Sequence, residues 1–439
     1  MPPNILQRLA GRDDFRLLAG NTAWLLGDKL IRLGLGLFIT LWVIRYLGPG
    51  RFGQFSFVTS FVALFGALMS LGLDGIVVRE LVRNPAEENS IIGSSILLRV
   101  LGAFLALVLS ASVYLIIRPG DSSGVLFVFL VAGSGFFQAL DVIDLQFQAR
   151  NLPRFRVVAR SAAFFTVSAV RILLLLIGAP LVAFVAVILV EAVLAATALL
   201  LLYHRQGGRP TGWIVSADRC RSLLSDSWPM ILSGLSIAVY MKIDQVMLGE
   251  MGGEQAVGLY AAATKLSEVW YIIPTVVVTA LFPTVIKTRE LDEGLYYRRL
   301  ERLFACMAAL SIGVALPVTL LSGPVVAILL GKHYLAAAPI LSIHIWAAFF
   351  VFYGVVQGAW DIAENLTRLA LLRVFCGALL NIGLNLWLIP GYGALGAAIA
   401  TVIAQATAAI FMNLLHPRTR RILGCQLRAL LFIRALKGI

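Results

Sequence analysis

Twelve apolar runs, each about long enough to cross a bilayer as a helix, leave this chain few folds to adopt. They fall at residues 22–46, 55–78, 91–117, 124–147, 155–178, 181–203, 228–249, 258–285, 301–321, 335–357, 366–389 and 393–415. In hydrocarbon every backbone N–H and C=O must be satisfied within the protein, and runs of this length do so as helices. The turns at Gly178–Pro180 and Pro390–Gly393 fold long runs back into hairpins, because Gly and Pro stop helices and permit reversals. Charged residues make up 13% of the chain, about half the share usual in a soluble domain. The expected fold class is an all-α polytopic membrane protein of about twelve transmembrane helices.

The net charge of +13 would suit a nucleic-acid binder, but its distribution has another explanation. Of 36 Lys and Arg residues, the outward turns hold four: Arg45, Arg51, Arg118 and Lys332. Eight lie inside the runs, and the remaining 24 are in inward segments. Positive charge retained inside orients a membrane protein. Both termini are therefore expected in the cytoplasm, and no nucleic-acid partner is expected.

The longest linker, 204–227, divides the chain into two halves of six helices. The resulting reading is a cytoplasmic N-terminus (1–20), an N-lobe (21–203), the linker (204–227), a C-lobe (228–415) and a basic amphipathic tail (416–439). Weak internal similarity fits this duplication. Leu47-Gly48 with Phe52-Gly53 resembles Leu248-Gly249 with Val257-Gly258, four residues out of step. Two parallel halves around a central site are a common transporter plan. In the tail, Leu423, Leu427, Leu430 and Leu431 oppose Arg420, Arg421, Arg428 and Arg434, a pattern suited to an anionic membrane surface.

Charges inside the runs point to a polar interior, since each would cost about 2.5–3.5 kcal/mol at a lipid-facing helix centre. The bases are Lys29, Arg32, Arg99, Arg160, Arg171, Lys242, Lys265 and Arg373; the acids are Asp28, Asp141, Asp144, Glu191, Asp244 and Glu268. Asp28, Lys29 and Arg32 share one helical arc. Arg32 lies ten residues into its run, about 15 Å deep. Lys29, Arg32, Arg171 and Lys242, with Arg99 and Arg160, are the candidate contacts for an anionic ligand. Glu191, which has no basic neighbour on its own helix, is a candidate for proton coupling, as are Asp141, Asp144 and Asp244. Each has a plainer reading. Asp28 can neutralise Arg32, Lys265 can pair with Glu268, and Asp141 and Asp144 can pair with arginines. Arg99, Arg160 and Arg373 can snorkel to the surface. His344 reads as a hydrogen-bonded core residue, and Asn381 and Asn385 as interhelical hydrogen bonds or substrate contacts.

The chain has no G-x-x-x-x-G-K-[ST] phosphate loop, H-E-x-x-H or G-x-S-x-G, and every outer turn is short. Enzymatic activity is not expected, nor is a cofactor or a resident metal. Cys220, Cys306, Cys376 and Cys425 lack ligand or disulfide spacing.

The opening hairpin, NTAWLLGDKLIRL…RYLGPGRFGQFSFVTSFVALFGALMSLGLDGIVVREL, resembles the start of bacterial oligosaccharide flippases of the polysaccharide transport family. That family belongs to the superfamily that includes the multidrug (MATE) exporters and the lipid II flippase. Further matching stretches are IGAPLVAF (177–184), KIDQVMLGEMGGEQAVGLYAAATKLSEVWYIIP (242–274), LLGKHYLAAAPIL (329–341) and IPGYGALGAAIAT (389–401). The resemblance implies a MATE-like, V-shaped pair of six-helix lobes in a bacterial inner membrane. It also implies export of an undecaprenyl-pyrophosphate-linked oligosaccharide for surface polysaccharide. Membrane lipids, a polysaccharide polymerase and a chain-length regulator are the implied partners. The alternatives are a MATE-type ion-coupled exporter of small cations, which would want an acidic cavity, and a membrane-bound glycan polymerase or ligase, which would want a large outer loop.

Overall fold

The computed structural model describes residues 12–289 and 291–431, with side chains from Arg32 onward except at Pro153. Among the described residues there is no strand. Eight helical stretches are long and apolar enough to span a membrane, nine when the bent pair Lys332–His344 and Ala347–Ala363 counts as one. Three of the eight are broken at a single non-helical residue: Gly48, Gly253 or Gly393. Tyr260 and Asn385 both hydrogen-bond Asp244, as does Thr401, which requires the stretches broken at Gly253 and Gly393 to fold back as hairpins. Divided at the three glycines, the stretches give the twelve spans that the hydropathy predicts.

The N-lobe comprises α1 (12–48); α2 (49–83, in pieces 49–63, Gly66–Ser70 and Asp74–Arg83); α3 (Glu88–Ile117); α4 (Ser122–Gln138, continuing to Val142–Ala149); α5 (Pro153–Leu176); and α6 (Leu181–Arg205). The C-lobe comprises α7 (217–253), α8 (254–287), α9 (Glu293–Leu320), α10 (the bent pair), α11 (367–393) and α12 (394–409). The shorter α13 (Pro417–Leu430) follows. Helix α7 begins inside the segment 204–227, where the Ser216 side chain accepts a hydrogen bond from the Arg219 amide and caps it.

The duplication is sharper in the backbone than in the sequence. Gly48 (φ 71°, ψ 169°) and Gly253 (φ 80°, ψ 173°) adopt nearly the same conformation, one that side chains other than hydrogen strongly disfavour. Aligning Gly48 with Gly253 removes the four-residue discrepancy and makes Gly53 equivalent to Gly258. These two glycines meet across the lobe interface. A Cβ on Gly53 would lie 2.6 Å from the Glu254 carbonyl carbon, and one on Gly258 would lie 2.7 Å from that of Pro49. Pro49 and Glu254 are themselves equivalent, so a local two-fold axis runs between the glycines.

The turns at this end lock the lobes together. Arg118, after α3, donates to Glu250 (2.7 Å), Glu254 (3.3 Å) and the Gly249 carbonyl (3.1 Å), and stacks over Phe57 at 4.0 Å. The Tyr334 hydroxyl donates to the Ile44 carbonyl at 2.9 Å. The opposite, basic end is laced by ion pairs, among them Arg150–Glu88 (2.7 Å), Arg289–Glu364 (2.7 Å) and Arg428–Glu301 (3.1 Å). The tail helix α13 is held more firmly than a surface anchor. Ile422, Cys425 and Ala429 are fully buried in one cluster with Tyr296 and Leu300 of α9, while Leu427, Leu430 and Leu431 stay exposed. Arg434 lies outside the described residues.

Candidate functional site

Between the lobes, α1, α2 and α5–α8 surround a cavity of about 360 Å³. Thr40, Val43 and Phe184 contribute to its wall, Ser56, Thr59 and Ser60 add hydroxyls, and Arg171, Lys242 and Lys265 supply three cations. Ser60 donates to Gln245 Oε1 across the interface at 2.7 Å. Arg171 on α5 pairs with Glu191 on α6 at 2.8 Å, whereas neither lysine has an ion-pair partner within 4 Å among the described residues. The cavity therefore has a cationic balance. At 4 Å and an effective dielectric constant near 20, one lysine attracts a unit negative charge by about 4 kcal/mol.

Of the six expected anion contacts, the structure brings Arg171 and Lys242 to this cavity. Arg99 is buried and paired with Asp74. Arg160 pairs with Asp144 (3.0 Å) and Asp141 (3.4 Å), and Arg156 also reaches Asp144 (3.2 Å). Arg99 and Arg160, expected as ligand contacts, stand away from this cavity in helix-to-helix ion pairs, because acids on neighbouring helices lie within their reach. Asp141 and Asp144 likewise already have cationic partners. Glu191 has no basic neighbour within two turns on α6, but Arg171 supplies one from α5. Arg32 is half-buried and does not line the cavity; on α1 it precedes Thr40 by eight residues, about 12 Å. The side chains of Asp28 and Lys29 lie outside the described residues.

Lys265 is the cavity residue that sequence reasoning assigned elsewhere. It forms no ion pair with Glu268. Glu268 stands where α8 tightens into the 3-10 turn Val269–Tyr271, while Lys265 turns to the cavity. Its signal was available: Lys242 and Lys265 flank the break at Gly253 by 11 and 12 residues, so a hairpin sets them side by side.

The family model of polysaccharide biosynthesis proteins matches residues 18–289, well over half of the chain. The chain belongs to the polysaccharide biosynthesis protein family. A curated relative, the probable flippase AglR of Haloferax volcanii, is 26% identical over 205 residues, which are 45% of this chain and 42% of that protein. The chain thus matches less than half the length of that relative. Among solved structures, the lipid II flippase MurJ in an inward closed conformation superposes with a TM-score of 0.72 at 15% identity, covering 94% of this chain and 92% of that one. An inward-facing multidrug MATE transporter gives 0.69 at 14% identity, covering 90% and 96%. The family chain therefore has the MATE-like fold of two six-helix lobes.

A second polar centre lies inside the C-lobe of this family member. Asp244, 3% exposed, accepts hydrogen bonds from Tyr260 (2.7 Å), Asn385 (2.7 Å) and Thr401 (2.5 Å). Asn385 also donates to Asn381 at 3.0 Å, which places both asparagines at this centre and not in the central cavity. His344 Nδ1 bonds Ser267 Oγ at 2.6 Å, and its ring packs edge-on against Tyr260. Lys242 and Asp244 thus serve opposite faces of α7, the lysine toward the cavity and the carboxylate into the lobe. Every donor to Asp244 among the described residues is neutral, and no cation among them pairs with it. Among the described residues no group of three or more His, Cys, Asp and Glu gathers as a metal site. Hard oxygen ligands do collect here, namely Asp244, Thr401 and Asn385 Oδ1, which has no hydrogen-bond donor.

Proposed function

We propose that this protein is a flippase for an anionic, lipid-linked oligosaccharide, with undecaprenyl pyrophosphate as the carrier. The observation that carries the reading is the meeting of Arg171, Lys242 and Lys265 from both lobes in one cavity whose lining holds no acid, with Glu191 paired to Arg171 and Glu268 standing near Lys265. A pyrophosphate would be held there by charge, with the hydroxyls of Ser56 and Thr59 turned to the first sugars. The lipid tail stays at the protein–bilayer boundary. An apolar groove of about 520 Å³ between α7 and α11, which ends at Arg368, offers it a path. The cytoplasm lies at the basic end and the membrane is a bacterial inner membrane. The oligosaccharide would pass to a polymerase and chain-length regulator for surface polysaccharide.

Alternating access would proceed by separation of the outer turns about the Gly53–Gly258 axis while the basic ends close. Outward movement of each negative charge is favoured by about 2.3 kcal/mol per 100 mV of inside-negative potential. Asp244 would complete the cycle by taking up and releasing a proton or an alkali cation. It replaces Glu191 as the coupling group of choice because Glu191 already has Arg171.

The test is leaflet-specific assay of the lipid-linked sugar in cells and in proteoliposomes. Lys242→Gln and Lys265→Gln are each expected to insert normally and reduce translocation at least tenfold, with the sugar accumulating on the inner leaflet. Wild-type translocation in the double variant would defeat the anion-site reading. Export of a small organic cation by the wild type, with no movement of lipid-linked sugar, would favour the multidrug reading.

A further inference from the structure

The two-fold relation at the outer turns extends to the bonds that hold them. The offset of 205 residues that superposes Gly48 on Gly253 also superposes Ile44 on Gly249, about one turn before each break. Both of these carbonyls accept a hydrogen bond from the opposite lobe: Gly249 from Arg118 at 3.1 Å, and Ile44 from Tyr334 at 2.9 Å. The donors are equivalent in position as well. Arg118 stands just before α4, and Tyr334 in the first turn of α10, the fourth helix of each lobe. Each lobe thus reaches across with one side chain and takes the same carbonyl of the other.

The chemistry of the two clasps differs. Glu250, next to Gly249, and Glu254 accept two further bonds from Arg118. Under the same offset their counterparts are Arg45 and Pro49, so the Tyr334 side offers no acid at these positions. Arg45 has no ion-pair partner within 4 Å among the described residues. It lies against the backbone of Gly331, where a Cβ would be 3.4 Å from its Nε. A cationic donor in place of Tyr334 would face the Arg45 charge, whereas a phenol reaches the Ile44 carbonyl without one. Exposure separates the clasps too. The side chains of Arg118, Glu250 and Glu254 are 17%, 33% and 38% exposed, and Tyr334 is fully buried. Salt screens exposed ion pairs, over about 3 Å at 1 M against about 30 Å at 0.01 M. A buried, neutral hydrogen bond has no charge to screen.

We propose that the outer side is closed by two symmetry-related clasps of unlike chemistry, an electrolyte-sensitive one at Arg118 and a dry, salt-indifferent one at Tyr334. Tyr334 is thereby a positioning residue for transport. The proposal rests on the alternating-access reading of the lobes and adds an order of release to it. The Arg118 clasp yields first, because water and ions reach it, and the Tyr334 clasp yields last.

The experiment uses the full chain with Cys220, Cys306, Cys376 and Cys425 replaced, in vesicles of known orientation. Sodium chloride is raised from about 0.01 M to about 1 M on the outer side only. Pulsed electron resonance reads one label pair at each clasp: Ser122→Cys with Gln255→Cys for Arg118, and Gly50→Cys with Ala336→Cys for Tyr334. All four positions are exposed. The chain with neither clasp altered should stay closed at both salts. Tyr334→Phe, which removes one oxygen, should be closed at low salt and at least threefold more open at high salt, at both label pairs. Arg118→Gln should not respond to salt, and Arg118→Lys in the Tyr334→Phe chain should keep the response. The double variant Arg118→Gln, Tyr334→Phe should be open at either salt. A salt response that survives Arg118→Gln overturns the ionic clasp. A Tyr334→Phe chain that stays closed at high salt overturns the second clasp, as does an unaltered chain that opens equally with salt. If Gly53→Ala separates the turns and the double variant does not, the lobes alternate but the clasps are not what closes them. If neither separates the turns, alternating access falls and the clasps fall with it.

Discussion

Gly53→Ala adds one methyl group at the axis between the lobes, and its effect can be worked from distances. The new carbon would collide with the Glu254 carbonyl oxygen and lie 2.6 Å from its carbon and 2.9 Å from the Gly258 amide nitrogen. Carbon–carbon contact requires about 3.5 Å, and the oxygen is nearer still, so α2 and the start of α8 must separate by more than about 1 Å. The obstacle is backbone on both sides, and no rotamer change relieves it. Overpacking of this kind costs about 1–3 kcal/mol, and the cost falls only on the state in which the outer turns touch. A factor of ten per 1.4 kcal/mol then shifts the population roughly ten- to hundredfold toward separated turns. Spin labels at Ser122→Cys and Gln255→Cys, one on each lobe's outer turn, would report this by pulsed electron resonance in a background free of native cysteines. Gly53→Ala and Gly258→Ala should each lengthen the principal distance. Gly50→Ala should not, because a Cβ there meets nothing within 4 Å. Wild-type distance distributions in both variants would refute the axis as the closure point.

Arg118→Ala should act in the same direction, weakening the outer lock by about 2 kcal/mol through loss of its charged hydrogen bonds and the Phe57 contact; the same labels would read it. Asp121→Ala should cost about 1 kcal/mol in thermal stability, because Asp121 caps α4 by accepting from the Gly124 amide. Burial raises the Asp121 carboxyl, but hydrogen bonds from Tyr114, Gly124 and Ser123, with the nearby Arg118 charge, outweigh this and hold it below its ordinary value. Its stabilisation is therefore complete above the unfolded-state value and lost as pH falls through the lower folded one, an acid dependence that should flatten in Asp121→Asn. Glu191→Gln releases Arg171, so carrier affinity should rise in direct binding measurements while translocation slows at product release. Arg160→Ala should lower stability and leave carrier affinity unchanged, since Arg160 serves Asp141 and Asp144 instead of the cavity.

Much of the fold was legible because hydropathy is local. The twelve runs reappear as spans, and the glycine–proline turns read from the sequence reappear at Gly178 and Gly393. The tail was legible only in part. Its helix begins at Pro417 as the pattern indicates, yet Ile422, Cys425 and Ala429 pack on α9, a contact that amphipathicity cannot distinguish from contact with a membrane. Within the site, Lys242 and Arg171 could be picked out as deep charges. Arg99 and Arg160 look the same by depth, and differ only because Asp74, Asp141 and Asp144 happen to lie within reach.

By itself the sequence determined that the chain is a bundle of twelve spans with a charged interior, because an apolar run of about 20 residues has essentially one way to satisfy its backbone in lipid. It also carried the duplication, although a four-residue offset hid the equivalence of Gly48 and Gly253. Only the tertiary structure decided which charges neutralise one another and which line the cavity between the lobes without an ion-pair partner among the described residues. Ion pairs such as Arg171–Glu191 join different helices, and partner choice depends on distances of a few ångströms that spacing along one helix does not contain. The same reason separates Lys242 from Asp244. Two residues apart in sequence, they lie on opposite faces of α7, one facing the cavity between the lobes and the other buried among Tyr260, Asn385 and Thr401.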